Sequence, residues 1–148
     1  AYYHGYVDRM IATTVQDRFY MSEVVYAAVR GEESRVSAET YRLLDAQARL
    51  RGAYHVVVTA EDDLIRERMR AGEMYSLDKV LEANRYFKCM AMARKFQHPM
   101  SGDVYNVDVD LHIHCDSTRP FASNTSVELI NLKHSRRQDL LWRSTTRS

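Results

Sequence analysis

The chain has 148 residues, 45% of them hydrophobic, enough for one domain with a real core and too few for two. Its 21 Lys and Arg set against 20 Asp and Glu leave a formal net charge of +1, so the overall balance demands neither a nucleic-acid nor a membrane surface. Cys89 and Cys115 form no close-spaced ligand pattern, no run of about 18 apolar residues occurs, and His4, Asp8 and Arg9 stand where a signal peptide would be apolar, so a cytoplasmic protein without a membrane partner is expected.

Residues 2 to 11 read as a first helix, and the β-branched run Thr13-Thr14-Val15-Gln16 as a short buried strand that stops at Asp17. From Tyr20, the residues Met21, Val24, Val25 and Ala28 recur at helical spacing, and Gly31 takes the place of a C-cap glycine. After a polar loop, Ser37 is the N-cap of a second helix whose Tyr41, Leu44 and Ala48 share a face and which Gly52 closes. "YHVVVTA", residues 54 to 60, is a continuous apolar run, the pattern of a strand covered on both faces. Thr59 and Asp62 resemble a capping box that opens a helix through Leu64, Ile65 and Met69 to Gly72.

Ser76 caps a longer helix that turns Leu77, Val80, Leu81, Phe87 and Ala91 inward, and His98-Pro99 follows its end. "YNVDVDLHIH", residues 105 to 114, alternates with period two and reads as one strand with a polar face. Thr125 and Glu128 make a capping-box pair before a last helix to about Trp142, which leaves residues 143 to 148 as a frayed tail on a single domain spanning 1 to 142. Strands separated by helices predict an α/β fold: a mostly parallel sheet with helices on both faces.

In such sheets, ligand-binding residues gather at the carboxyl ends of the strands, and Asp17 and Arg18 stand at one. "DRFYMSEVVY" resembles the thymidylate kinase signature, in which an apolar strand ends in Asp-Arg-aromatic, followed at fixed spacing by a serine and by a small or branched residue plus an aromatic. Those positions are Asp17, Arg18, Phe19, Ser22, Val25 and Tyr26. Gln16, Glu23 and Ala27 depart from the usual thymidylate kinase residues, and related deoxynucleoside kinases also carry an acid-arginine pair here. The resemblance implies a P-loop nucleotide kinase fold, ATP and Mg2+ as cofactors, and phosphoryl transfer to a deoxynucleotide. By the same resemblance, Asp17 orients the acceptor or the magnesium shell, Arg18 binds the acceptor phosphate, and Phe19, Ser22 and Tyr26 bind substrate, with Tyr26 beside the sugar. Phosphoryl transfer asks mainly for positioning and charge neutralisation, and the planar fork of an arginine grips two phosphate oxygens as a lysine cannot.

Arg66, Arg68 and Arg70 follow the central strand in one short helix, as in the arginine-rich lid that resembling kinases fold over the donor phosphates. At 100° per residue Arg66 and Arg70 share a face and Arg68 does not; the plain alternative is a solvated helix in which Asp62, Arg66 and Arg70 pair at i,i+4. The family's G-x-x-x-x-G-K-[ST] loop is absent: Gly5, Gly31, Gly52, Gly72 and Gly102 are isolated, and no lysine follows any of them. The expectation is therefore a carboxyl-terminal part of a longer kinase, inactive without its upstream loop.

Two alternatives accompany this reading: a kinase acting on a modified base in DNA, with the basic "KHSRRQ" of residues 133 to 138 along its track, and a non-catalytic nucleotide-binding or interaction domain. DNA is the less favoured partner, and a homodimer stays open. In "HIHCDS", His112 and His114 project from one face of a strand with Asp108 and Asp110 placed to pair with them. A metal-dependent hydrolase built there is a weaker third option; no third ligand is evident locally, and no metal ligand set is assigned. The aromatic start "AYYHGY" is expected to pack on a neighbouring element.

Overall fold

The computed structural model describes residues 19–116. The predicted helix at 2 to 11, the strand ending at Asp17, Arg18 itself, the last helix and the tail all lie outside the described residues.

Helix α1 spans Tyr20–Arg30 and buries Tyr20, Val24, Val25, Ala27, Ala28 and Val29. Gly31 ends it at φ 73°, where its N–H bonds the Ala28 carbonyl at 3.1 Å and the Glu32 N–H reaches Ala27 at 2.9 Å. This Schellman closure needs a residue free to adopt the left-handed region. Helix α2, Ala38–Leu50, starts as expected at Ser37, whose hydroxyl accepts from the Thr40 N–H at 3.1 Å. Tyr41, Leu44 and Ala48 are its buried stripe.

Strand β1, Val56–Ala60, leads into α3, Asp62–Arg68, and then into the 17-residue α4, Leu77–Ala93. β1 pairs in parallel with β4, Leu111–Cys115, with Val56 opposite Leu111 and Ala60 opposite Cys115. A separate antiparallel hairpin joins β2, Lys95–Gln97, to β3, Val104–Asn106. The described architecture is α/β, with a parallel strand pair and a short hairpin in place of one continuous sheet.

Four expectations from the sequence are corrected here. β1 is not covered on both faces: Val57 and Thr59 are buried while Val58 is 45% exposed. The apolar run hid an alternating strand because its outward valine is as apolar as its inward neighbour. The Thr59–Asp62 capping box does not form; Glu61 is the N-cap of α3 without a side-chain bond, because the Thr59 hydroxyl is engaged across the strand pair. α3 stops at Arg68 rather than at Gly72. The run 105 to 114 is two strands, since after β3 the Val107 N–H bonds the Arg94 carbonyl at 3.0 Å and the Asp110 N–H bonds His55 at 2.9 Å. Buried Val107 and Val109 carry the chain from one sheet to the other, and a period-two pattern cannot tell that crossing from a single strand.

The core lies between α1, α2, α4 and the hairpin. Tyr20 meets Tyr41 edge-on at 5.1 Å, Tyr41 meets Tyr105 at 5.6 Å, and the Tyr105 hydroxyl donates to the Val36 carbonyl. Edge-on aromatic pairs add to the burial of such large rings. His98, fully buried in the hairpin turn, accepts from the Met100 N–H through Nδ1 at 3.2 Å, and burial pushes its pKa down despite Asp103 and Glu33.

Candidate functional site

The parallel pair has two chemically different ends. At the carboxyl end, the buried side chain of Asn84 on α4 clasps Ala60, accepting from its N–H at 3.0 Å and donating to its carbonyl at 2.7 Å. The Glu61 N–H adds a bond to the Cys115 carbonyl at 2.9 Å. These contacts pin the last residues of both strands, and α3 springs from them carrying Arg66 and Arg68.

Arg66 pairs with Asp63 at 3.3 Å, an i,i+3 contact between exposed side chains. The Asp62–Arg66–Arg70 ladder is not built, because Arg70 lies past the end of α3. Arg68 and Arg70 are exposed.

Just before this end, Thr59 is buried with its hydroxyl 2.8 Å from His112 Nε2 and 2.9 Å from His114 Nδ1. The hydroxyl can give its one proton to only one of the two rings, so the other must present an N–H. Burial, then His114 and Lys88, hold the His112 pKa down. The expected pairing of these histidines with Asp108 and Asp110 is corrected, since both aspartates turn to the other end of the strands. Among the described residues no group of three or more His, Cys, Asp or Glu side chains is placed to hold a metal ion.

At the amino end, Tyr20 donates to Asp45 at 3.0 Å and lies 3.1 Å from His55 Nε2, directly before β1. Arg49 binds three carboxylates: Asp45 at 3.2 Å, Asp108 at 3.0 Å and Asp110 at 3.5 Å. Burial opposes its charge, but these carboxylates outweigh it and raise its pKa. Burial and the Asp45 carboxylate likewise hold the Tyr20 and Tyr41 hydroxyls protonated, with their pKa raised. The Asp110 carboxylate also accepts from the His55 N–H at 2.7 Å, which ties the entry of β1 to the entry of β4. Beside this network lies a cleft of about 340 Å³ lined by Arg42, Asp45, Arg94, Asn106, Val107 and Asp108.

Of the residues singled out from the sequence, Asp17 and Arg18 lie outside the described residues. Phe19 packs on Tyr20 at 5.1 Å, so the first turn of α1 sits with the amino-end network. Ser22 is half-buried in the same turn. A five-residue strand, about 16 Å long, separates this end from the root of α3.

Tyr26 stands two turns further along α1. Its ring stacks on Tyr75 at 5.0 Å and 29° and meets Phe87 edge-on at 6.2 Å. Tyr75 ends the exposed stretch that begins at Arg70, so the structure brings Tyr26 to the end of that stretch. Sequence reasoning missed Tyr75, Asn84 and His55. Their partners are 24 to 49 positions away or on another element, and no local spacing announces them.

A Cβ added at Gly31, Gly52, Gly72 or Gly102 meets no protein atom within 4 Å, so no crowding by neighbouring groups requires glycine there. Each instead holds a left-handed turn. No known protein-family model, curated protein or solved structure matches this chain.

Proposed function

We propose that the chain carries the acceptor side of a deoxynucleotide kinase resembling thymidylate kinase, with Arg18 holding the acceptor phosphate and Asp17 orienting it. Tyr26 lines the sugar pocket with Phe19 and Ser22 on the same helix, and Arg66, Arg68 and Arg70 form the lid. ATP and Mg2+ are the donor and metal that the resemblance implies. No donor-binding role is assigned to any of the described glycines.

The observation that carries the reading is the ring contact of Tyr26 with Tyr75, which ties the helix of "DRFYMSEVVY" to an arginine-bearing segment rooted at the carboxyl end of a parallel strand. That end is where α/β sheets receive ligands. An exposed arginine with one weak partner is free to meet a phosphate, whereas an arginine held by three carboxylates, such as Arg49, is not.

Acceptor binding can be tested without the donor. In titration calorimetry, thymidine 5′-monophosphate is expected to bind the whole chain, and Arg18→Ala to weaken it by at least about tenfold with an unchanged circular dichroism spectrum. Equal affinity in the variant would remove Arg18 from the phosphate site.

The isolated glycines, none followed by a lysine, favour a second reading, a nucleotide-binding or interaction domain without catalysis. It shares the binding result and differs in turnover once a donor-binding loop is supplied. A coupled ATP assay that detects transfer to thymidine 5′-monophosphate excludes it.

A further inference from the structure

Between α3 and α4, residues 70 to 74 are all exposed, and Tyr75 is the first side chain after them to enter the body of the protein. Besides its stack on Tyr26, its hydroxyl accepts from the Arg30 guanidinium at 3.2 Å. Arg30 is held in turn by Glu32 at 3.0 Å and Glu23 at 3.7 Å, and its bonds to Tyr75 and then Glu32 raise its pKa. Glu23, Tyr26 and Arg30 are three and four residues apart, so one face of α1 supplies the aromatic seat, the hydrogen bond and the charge that steadies it. An exposed loop held by a single aromatic anchor belongs to the low end of local stability.

We infer that Tyr75 is a latch that couples acceptor binding to the placement of Arg66, Arg68 and Arg70. Seated on Tyr26, it holds the end of the exposed stretch that begins at Arg70 against α1. A deoxynucleotide whose sugar takes the same ring face displaces it and frees the arginines to close over the phosphates. The coupling rests on the proposal that Tyr26 lines the acceptor pocket, while the latch rests on the stacking geometry alone. Tyr75 is a positioning residue and touches no substrate. Because the two occupants exclude each other, removing the latch must tighten acceptor binding by the factor with which it competes.

Hydrogen exchange on the whole chain, with and without thymidine 5′-monophosphate, tests both parts. Tyr75→Ala is expected to speed amide exchange across 69 to 76 by about tenfold or more with α2 unchanged, and Tyr75→Phe, which keeps the ring and loses the hydroxyl, to fall between. Unchanged exchange in Tyr75→Ala overturns the latch, and so does a rise shared equally by α1 and α4, which would make Tyr75 a prop of the core. In the unmodified chain the nucleotide is expected to speed exchange across 69 to 76, and Tyr75→Ala to bind it about fivefold tighter. Bound nucleotide with neither effect overturns the coupling. Failure of the nucleotide to bind removes the acceptor site, while the exchange rates of Tyr75→Ala still decide the latch.

Discussion

The two ends of the parallel strand pair treat their arginines in opposite ways. At the amino end Arg49 is 19% exposed, faces Asp45, Asp108 and Asp110, and stitches α2 to the entries of both strands. At the carboxyl end Arg66 is 53% exposed beside an Asp63 that is 95% exposed. An ion pair that has lost its water must be satisfied by its partners, so Arg49 belongs to the fold. A solvated pair costs almost nothing to break, so Arg66 is available. Among the described residues, the charged side chains form a network at the amino end of the strands and stand in solvent on α3 at the carboxyl end, the end at which parallel sheets receive ligands.

Arg49→Met breaks the stitched end and carries the largest expected effect. It leaves Asp45 and Asp110 without their cation and should cost about 3 kcal/mol in urea denaturation. A loss below about 1 kcal/mol would show that water already screens the network.

The next effect is on pH and belongs to the two histidines held neutral by burial, His98 and His112. In the unfolded chain each titrates near 6.5, so below that value the unfolded chain takes up protons that the fold refuses. Stability is therefore full above about pH 6.5 and declines below it, by up to about 1.4 kcal/mol per pH unit for each ring. His112→Gln, which can still hydrogen-bond Thr59, is expected to flatten part of that slope. A urea midpoint constant between pH 7.5 and 5.5 would contradict the assignment.

Arg66→Ala carries the smallest effect, about 0.5 kcal/mol or less. A larger loss would mean that the carboxyl end bears on stability in the way the amino end does, and the contrast between them would fail.

Much of the local structure was legible in the sequence. The Ser37 cap, the Gly31 stop and the buried stripes of α1 and α2 follow from chain-local bonds and helical spacing, and they stand where the spacing put them. The candidate site was legible only in part. Tyr26 and the three arginines were singled out by the kinase resemblance and their roles are proposals, whereas Tyr75 reads as an ordinary residue before a helix until its ring is seen on Tyr26.

Asp108 and Asp110 show the same limit from the other side. Alternation placed them beside His112 and His114, but they turn to Arg49 because the chain crosses between sheets at Val107 and Val109. Hydrophobic period and capping chemistry act over a few residues, so the sequence alone determines where α1 and α2 run, cap and bury a stripe, and not the cap of α3 or the outward face of β1. Pairings such as Arg30 with Tyr75, 45 positions apart, or Thr59 with His112, 53 apart, depend on which elements share a surface. That choice is made by packing across the whole core, so only the tertiary structure decided which end of the strands gathers its arginine into a carboxylate network and which leaves its described arginines in solvent.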